Sequence, residues 1–356
     1  MRSTIVNVTR PSFGRARRNV IRPFFTSTRE VQRLARPQSL WNKLAIQTRQ
    51  QNPFCCSTSW QLSYYDTYRR GRALLIRHSG DSLVAFAEKI FSPEDIYLTP
   101  IEVSWFFGNN VLGPQGVDLL QDTLIDIERH YAPAFPKIMI SAILPKGAVY
   151  KELRKKFSRE FSFSRHSLGI QCAASLAGGF DGFLSRRSAN HRRKLKKQGR
   201  RAAEKGVTFE RCSPASGSEI AAIYARMISV ELSSWKGIAQ GGMVEPSSKK
   251  FYNTMLRRMA ASQGARIMFA KHDDKDIGFI FGGMAGDIYR GQQFSFDDDW
   301  RAASIGNLLQ LEQIKSLCEE GARRYDMGPL LGSDMAYKRH WTEKRFHIET
   351  WILEQK

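Results

Sequence analysis

Between Asp297 and Asn307 the chain reads Asp-Asp-Asp-Trp-Arg-Ala-Ala-Ser-Ile-Gly-Asn, and an apolar, helix-periodic run follows from Gly306 to Glu320. A helix that opens on Ser304 and Gly306 has the make-up of an anion site. Its first backbone N–H groups have no partner within the helix, the positive end of its dipole lies there, and a glycine lets a ligand come close to the backbone. The anion expected is a phosphate, with Arg301, Ser304, Ile305, Gly306 and Asn307 as its contacts. Ser304 also reads as a plain helix cap. The three acids 297–299 would repel a phosphate. Asp297 and its neighbours suit a cationic amine or a solvated loop, and for a metal ion they lack calcium-loop spacing and its glycine.

Groups able to move protons lie on either side of this turn. Glu231 closes an apolar helix just before Trp235 and Lys236; the indole would raise a carboxyl pKa and the ammonium would lower it. Glu231 is thus a base, a substrate contact or a surface carboxylate, with Trp235 and Lys236 as substrate contacts. Asp326 sits on a short strand between Tyr325 and Met327, so either Asp326 or that pair faces a given side. In the aromatic stretch beyond, Tyr337 could protonate a leaving group or pack on Trp341, and Lys338 could hold an anionic substrate group. Other chemistries drop out. G-x-S-x-G, H-E-x-x-H and G-x-x-x-x-G-K-[ST] are absent, and the seven histidines lack ligand spacing. Five cysteines without C-x-x-C spacing argue against a disulfide framework or a structural zinc, so no metal is expected.

These residues need a scaffold of mixed α/β type. Residues 73–77 and 83–90 flank a His-Ser-Gly-Asp-Ser turn and predict a hairpin; a helix near 117–131, a strand over 137–144, a helix near 148–157 and a strand near 167–173 follow. The second half repeats the order more clearly. A strand at 207–211 and helices at 219–232 and 247–263 lead to a hairpin of 265–272 with 276–284, then a strand at 288–296, the helix at 306–320 and a strand at 325–328. At 356 residues, two domains are the economical division: a flexible basic arm over 1–36, a first domain over 37–178, a basic linker helix over 179–206 and a second domain over 207–356.

The net charge of +21 is concentrated in two places. Residues 1–35 carry eight arginines against Glu30, and residues 186–205 carry ten lysines and arginines against Glu204. The second cluster falls on a helix whose apolar stripe is narrow, Leu184, Leu195 and Ala202. It reads as a solvated linker, as a contact for an anionic partner such as RNA, acidic lipid or polysaccharide, or as help in holding a donor; without interleaved aromatics, RNA would be met at its phosphates. No apolar run approaches the roughly 20 residues needed to span a bilayer, and the N-terminus lacks a secretory pattern. Cytoplasm is the expected location.

Four stretches taken together carry a family resemblance: Glu231-Leu-Ser-Ser-Trp-Lys-Gly237, Tyr289 to Asp297, Ser304-Ile-Gly-Asn-Leu-Leu309, and Tyr325-Asp-Met-Gly328 followed by Tyr337-Lys-Arg-His-Trp341. In order and spacing this region resembles the GNAT-like acetyltransferase domain of proteins associated with bacterial cellulose and exopolysaccharide biosynthesis, a branch related to the Fem-type peptidoglycan aminoacyltransferases. The match is best over 180–345, and Asn52-Pro-Phe54 to Trp60 resembles the start of a companion domain. The resemblance implies tandem GNAT-like domains, each a mixed, mostly antiparallel sheet flanked by helices. It implies acetyl-CoA or another acyl-CoA as co-substrate, its pyrophosphate on the 304–307 turn, and direct attack of an amine from a sugar, peptide or cell-envelope precursor on the thioester. Glu231, Asp326 and Tyr337 are then the catalytic candidates. The pattern departs from the superfamily's glycine-rich phosphate loop, since only Gly306 remains of its glycines. An aminoacyl-tRNA donor of the Fem kind, or an inactive GNAT fold that binds an anionic partner, stays open beside it.

Overall fold

A computed structural model describes residues 23–48, 52–330, 332 and 335–356. The first half begins with short helices α1 (Thr28–Leu34), α2 (Leu40–Gln47), α3 (Pro53–Cys56) and α4 (Thr58–Tyr64). Strands β1 (Leu74–Ser79), β2 (Ser82–Ser92), β3 (Asp95–Thr99) and the two-residue β4 (Val111–Leu112) come next. Helix α5 (Gly116–Tyr131), β5 (Lys137–Ile143), α6 (Ala148–Phe157) and the long β6 (Phe161–Ser175) complete this half.

The second half opens with α7 (Gly179–Ser185), the basic α8 (Ala189–Glu204), β7 (Thr208–Cys212), α9 (Gly217–Leu232), α10 (Trp235–Ile238) and α11 (Pro246–Ala261). It continues through β8 (Ala265–His272), β9 (Lys275–Ala285), β10 (Ile288–Phe296), α12 (Ile305–Glu319), β11 (Arg324–Pro329) and β12 (Lys344–Gln355). Local signals account for several boundaries. Ser216 and Glu219 form a reciprocal capping box on α9. Asp273 and Asp274 both adopt positive φ at the β8–β9 turn, as the twist of a tight hairpin requires.

Among the described residues all the strands join one twelve-stranded sheet, in the order β1-β2-β3-β5-β12-β6-β11-β10-β9-β8-β7, with β4 beside β2. The two halves share a plan. In each, three antiparallel strands are followed by a helix and a strand parallel to the third: β5 lies parallel to β3, and β11 parallel to β10. Each half then sends its last long strand across to the other. β12 pairs with β5, β6 pairs with β11, and β6 and β12 run antiparallel to each other from Phe161↔Gln355 to Ala173↔Lys344. The molecule is therefore a mixed α/β fold in which each half-sheet ends on a strand supplied by its partner half.

One core cluster also ties the halves together, since Phe54 and Trp60 of α3 and α4 pack with Met227, Phe251, Met255 and Phe281 of the second half. Each such buried side chain contributes about 1.5–3 kcal/mol. On the opposite face of the second half, Leu195 and Ala202 are the buried residues of α8, and Ile305, Leu308 and Leu309 are buried on α12. Of the segment expected as an arm, residues 1–22 lie outside the described residues. In the remainder, the Thr26 amide donates to Leu74 O, and Leu34 is buried. All five cysteines are free, including adjacent Cys55 and Cys56.

Candidate functional site

β10 and β11 pair for only three rungs, Ile288↔Arg324, Tyr289↔Tyr325 and Arg290↔Asp326, and then separate. Both strands are deformed just past the last rung. β10 slips register against β9 between Gly291 and Gln293, and β11 slips against β6 between Asp326 and Gly328. Gly328 has φ +81°, and a Cβ there would lie 2.8 Å from the Arg290 guanidinium. A glycine is what lets β11 turn around that side chain. Arg290 Nη1 donates to Asp326 Oδ1 at 2.6 Å and to Gln171 Oε1 on β6 at 3.0 Å, and the Gly328 amide donates to the same Asp326 oxygen at 2.8 Å. Arg290 and Asp326 are both buried.

Where the strands part, a cleft of about 310 Å³ opens between them, lined by Trp235, Lys236, Gly291 to Phe296, Gln310, Tyr325, Met327, Tyr337 and Lys338 among others. Lys236 Nζ donates to Gln293 Oε1 at 3.1 Å and Phe294 O at 3.0 Å, and lies 3.4 Å from Glu231 Oε1. Burial lowers the Lys236 pKa against the opposing pull of Glu231. Lys338 Nζ donates to Pro329 O at 2.7 Å, and burial pushes its pKa down to about 8. Burial raises the pKa of Tyr325 and of Tyr337, so both keep their protons at neutral pH. Among the described residues lining the cleft, none is a carboxylate.

The wall formed by β10 leads to the start of α12. Ser304 takes φ +60° and makes no side-chain cap; its hydroxyl instead accepts from Gln198 Nε2 of α8 at 2.7 Å. The Asn307 amide donates to Ser304 O at 3.0 Å, and among the described residues the amides of Ile305 and Gly306 find no acceptor. A Cβ on Gly306 would lie 3.0 Å from the rings of Phe294 and Phe296, so the absence of a side chain there lets the helix start sit close against β10.

The first half has a counterpart of this cleft, and it is filled. β3 and β5 pair only at Tyr97↔Lys137 and Leu98↔Ile138. Beyond that point Asn110 takes the place of a neighbouring strand, its Nδ2 donating to Met139 O and its Oδ1 accepting from the Ser141 amide, while Ser141 Oγ donates to Gly108 O. Nearby, buried Glu102 accepts from the amides of Trp105, Phe106 and Phe107. The open cleft belongs to the second half.

Residues 189–339 match the family model of the acetyltransferase (GNAT) domain. These residues form a GNAT-type acetyltransferase domain. Such a domain is that of an N-acyltransferase. No curated protein matches the sequence. In fold, the chain is similar to a conserved protein of unknown function from Bacteroides thetaiotaomicron VPI-5482, with TM-score 0.60, 10% identity and coverage of 88% of this chain and 95% of that one. It is similar to FemX, with TM-score 0.60, 11% identity and coverage of 87% and 94%. It is also similar to the C-terminal domain of a putative lysylphosphatidylglycerol synthetase from Agrobacterium fabrum, with TM-score 0.51, 13% identity and coverage of 82% and 86%.

The GNAT domain brings some of the residues singled out in the sequence together and separates others. Trp235, Lys236, Tyr337 and Lys338 line the cleft, from α10 on one side and a 3-10 turn, Ala336–His340, on the other. Tyr337 packs its ring on Phe294, with centroids 5.8 Å apart. Glu231 stands behind Lys236, wholly buried; its Oε1 accepts from the Met243 amide at 2.9 Å, and its Oε2 has no hydrogen-bond partner. Tyr325 and Met327 face the cleft, and Asp326, between them, is turned into its bond with Arg290. Asp297 caps the short turn before α12 by accepting from the Asp299 amide, with Lys275 Nζ 3.4 Å from its other oxygen. Arg301 is exposed and donates to Asp298. Ile305 is fully buried, closing on Gly278 of β9.

Gln293, Phe294 and Gln310 belong to the site without having been singled out. Gln293 had a signal: Gly291-Gln292-Gln293 interrupts the alternation of β10, as a bulge does. Gln310 had none, because its place depends on the rotation of α12 against the sheet.

Proposed function

We propose that the chain is an acyl-CoA-dependent N-acyltransferase, an acetyltransferase in the first instance, whose acceptor is an amine of a sugar, peptide or cell-envelope precursor. The observation that carries this reading is the parting of β10 and β11 into a cleft whose wall runs to the uncapped start of α12. The acyl thioester enters between the strands, and the pyrophosphate rests at the turn 304–307 on the amides of Ile305 and Gly306, where a phosphate is stabilised by the helix dipole. The resemblance to polysaccharide-associated GNAT proteins supports the acceptor class, and we place the reaction in the cytoplasm. We assign the work to the second of two tandem units, 37–178 and 207–356, joined by 179–206.

Attack by the amine forms the new C–N bond and breaks the C–S bond, so one proton must leave the amine and one must reach the sulfur. Lys338, in its neutral form, takes the amine proton; Tyr337 gives its hydroxyl proton to the thiolate and regains one from solvent. Lys236 holds the carbonyl of Phe294 and the amide of Gln293 in place on the β10 wall, and Glu231 orients Lys236. Trp235 lies toward the acceptor, and Asp297 holds the turn before α12. Asp326, bound to Arg290, supports the parting of the strands.

An aminoacyl-tRNA donor is the second reading. It is favoured by the likeness in fold to FemX over nearly the whole chain and by the basic α8 beside α12. Calorimetry with acetyl-CoA and CoA, followed by thiol release on a panel of amino sugars and peptides, tests the proposal. Micromolar binding with thiol release is expected; the absence of binding, together with retention of tRNA on the same protein, would overturn it in favour of the second reading.

A further inference from the structure

The basic helix is not evenly exposed around its circumference, and one side of it is fixed by a contact. Gln198 of α8 reaches Ser304 Oγ at the head of α12. Residues three, four and seven positions away on a helix share a face, and around Gln198 those positions include Lys194, Arg201 and Lys205. All three are exposed, and none is in an ion pair among the described residues. Lys205 is placed independently: its ammonium lies 6.0 Å from the ring of Trp300, in the turn that precedes Ser304. Two of the nearby acids are engaged, Asp297 as a turn cap and Asp298 with Arg301. A row of three unpaired cations thus runs beside the uncapped amides of α12, outside the acyl cleft itself.

We propose that Lys194, Arg201 and Lys205 bind a second phosphate of the donor, the monoester on the ribose of coenzyme A, and so select CoA thioesters over donors that lack it. The inference rests on the proposed acyl-CoA function and adds to it a specificity site on a helix that precedes β7. The physical basis is charge-assisted contact to a dianionic phosphate, which three aligned cations at a water-facing rim favour and which salt weakens. No aromatic ladder is needed, because the recognised group is the phosphate and not a base.

The test is calorimetry on the full chain with CoA and with 3′-dephospho-CoA. CoA is expected to bind at least about ten-fold more tightly, a gap equal to roughly 1.4 kcal/mol. A variant carrying Lys194→Gln, Arg201→Gln and Lys205→Gln should bring CoA down to the level of dephospho-CoA and leave dephospho-CoA unchanged. A matched variant, Arg193→Gln, Lys196→Gln and Arg200→Gln, removes as many charges from the other side of α8 and should keep the ten-fold gap. Equal affinity of the wild type for the two nucleotides overturns the inference while leaving the acyl-CoA function standing. An equal loss in both variants overturns it as general charge attraction. Failure of both nucleotides to bind any of the proteins overturns the proposed function, and the inference with it.

Discussion

At the scale of single residues, the buried carboxylate of Asp326 and the buried ammonium of Lys338 have opposite parts. Asp326 is held by Arg290 and by the Gly328 amide, and its removal leaves a guanidinium buried without its partner. Breaking one side of a buried pair costs about 3–5 kcal/mol. Asp326→Ala is therefore expected to lower the stability measured by urea unfolding by an amount of that order; a loss of activity at unchanged stability would instead give it a direct part in the chemistry. Lys338 is a different case. As a base it works only when unprotonated, so activity should rise with pH through its value of about 8 and level off above it. Lys338→Arg keeps the charge and removes the base: kcat should fall by about 100-fold or more, and the pH–rate profile should lose that rising limb. An unchanged limb would assign it to another group.

At the scale of elements, the head of α12 separates stability from binding. A carboxylate at a helix N-terminus is favourable by about 0.3–1 kcal/mol, and aspartate tolerates the positive φ found at Ser304. The same charge would repel a phosphate resting on those amides. Ser304→Asp is expected to hold or raise the thermal midpoint while weakening CoA by about ten-fold, 1.4 kcal/mol. Equal affinity in the variant would move the pyrophosphate away from α12. The strand pair beside it follows similar local logic. Gly291 and Gly328 sit where β10 and β11 bend, and their wider separation opens the cleft. In the first half the equivalent opening is closed by the Asn110 side chain, which replaces a strand's hydrogen bonds with its own amide.

At the scale of the whole molecule, the exchange of β6 and β12 makes the halves depend on each other. β12, the last strand of the second half, is paired along its length with β6 of the first, and β6 also covers the edge of β11. A fragment of residues 207–356 would leave β11 and β12 with unpaired edges and a separated β12, a state prone to association. Expressed alone it should be aggregated or unfolded by size-exclusion chromatography and circular dichroism, and mixing it with residues 1–206 should restore a soluble complex. A monomeric, folded fragment would contradict this dependence.

The linear order of residues carried much of this protein in readable form. The 265–284 hairpin, the 288–296 strand and the helix from Gly306 follow from alternation, turn chemistry and periodicity, which are properties of neighbours in sequence. Lys236, Tyr337 and Lys338 stand among the site candidates through 231–237 and 337–341, two of the stretches that carry the family resemblance. β12 has a signal of its own, Phe346, Ile348 and Thr350 alternating with Arg345, His347 and Glu349, but the alternation breaks at Trp351. Other features depended on contacts between residues far apart in the chain: the turning of Asp326 into Arg290 and Gln171, the passage of β6 into the other half, Gln198 against Ser304, and the filled first cleft. Local pattern says that a strand or helix forms and which residues it bears. Which strand becomes its neighbour, and so which side chain faces a cleft and which a buried partner, is decided by packing over long sequence distance.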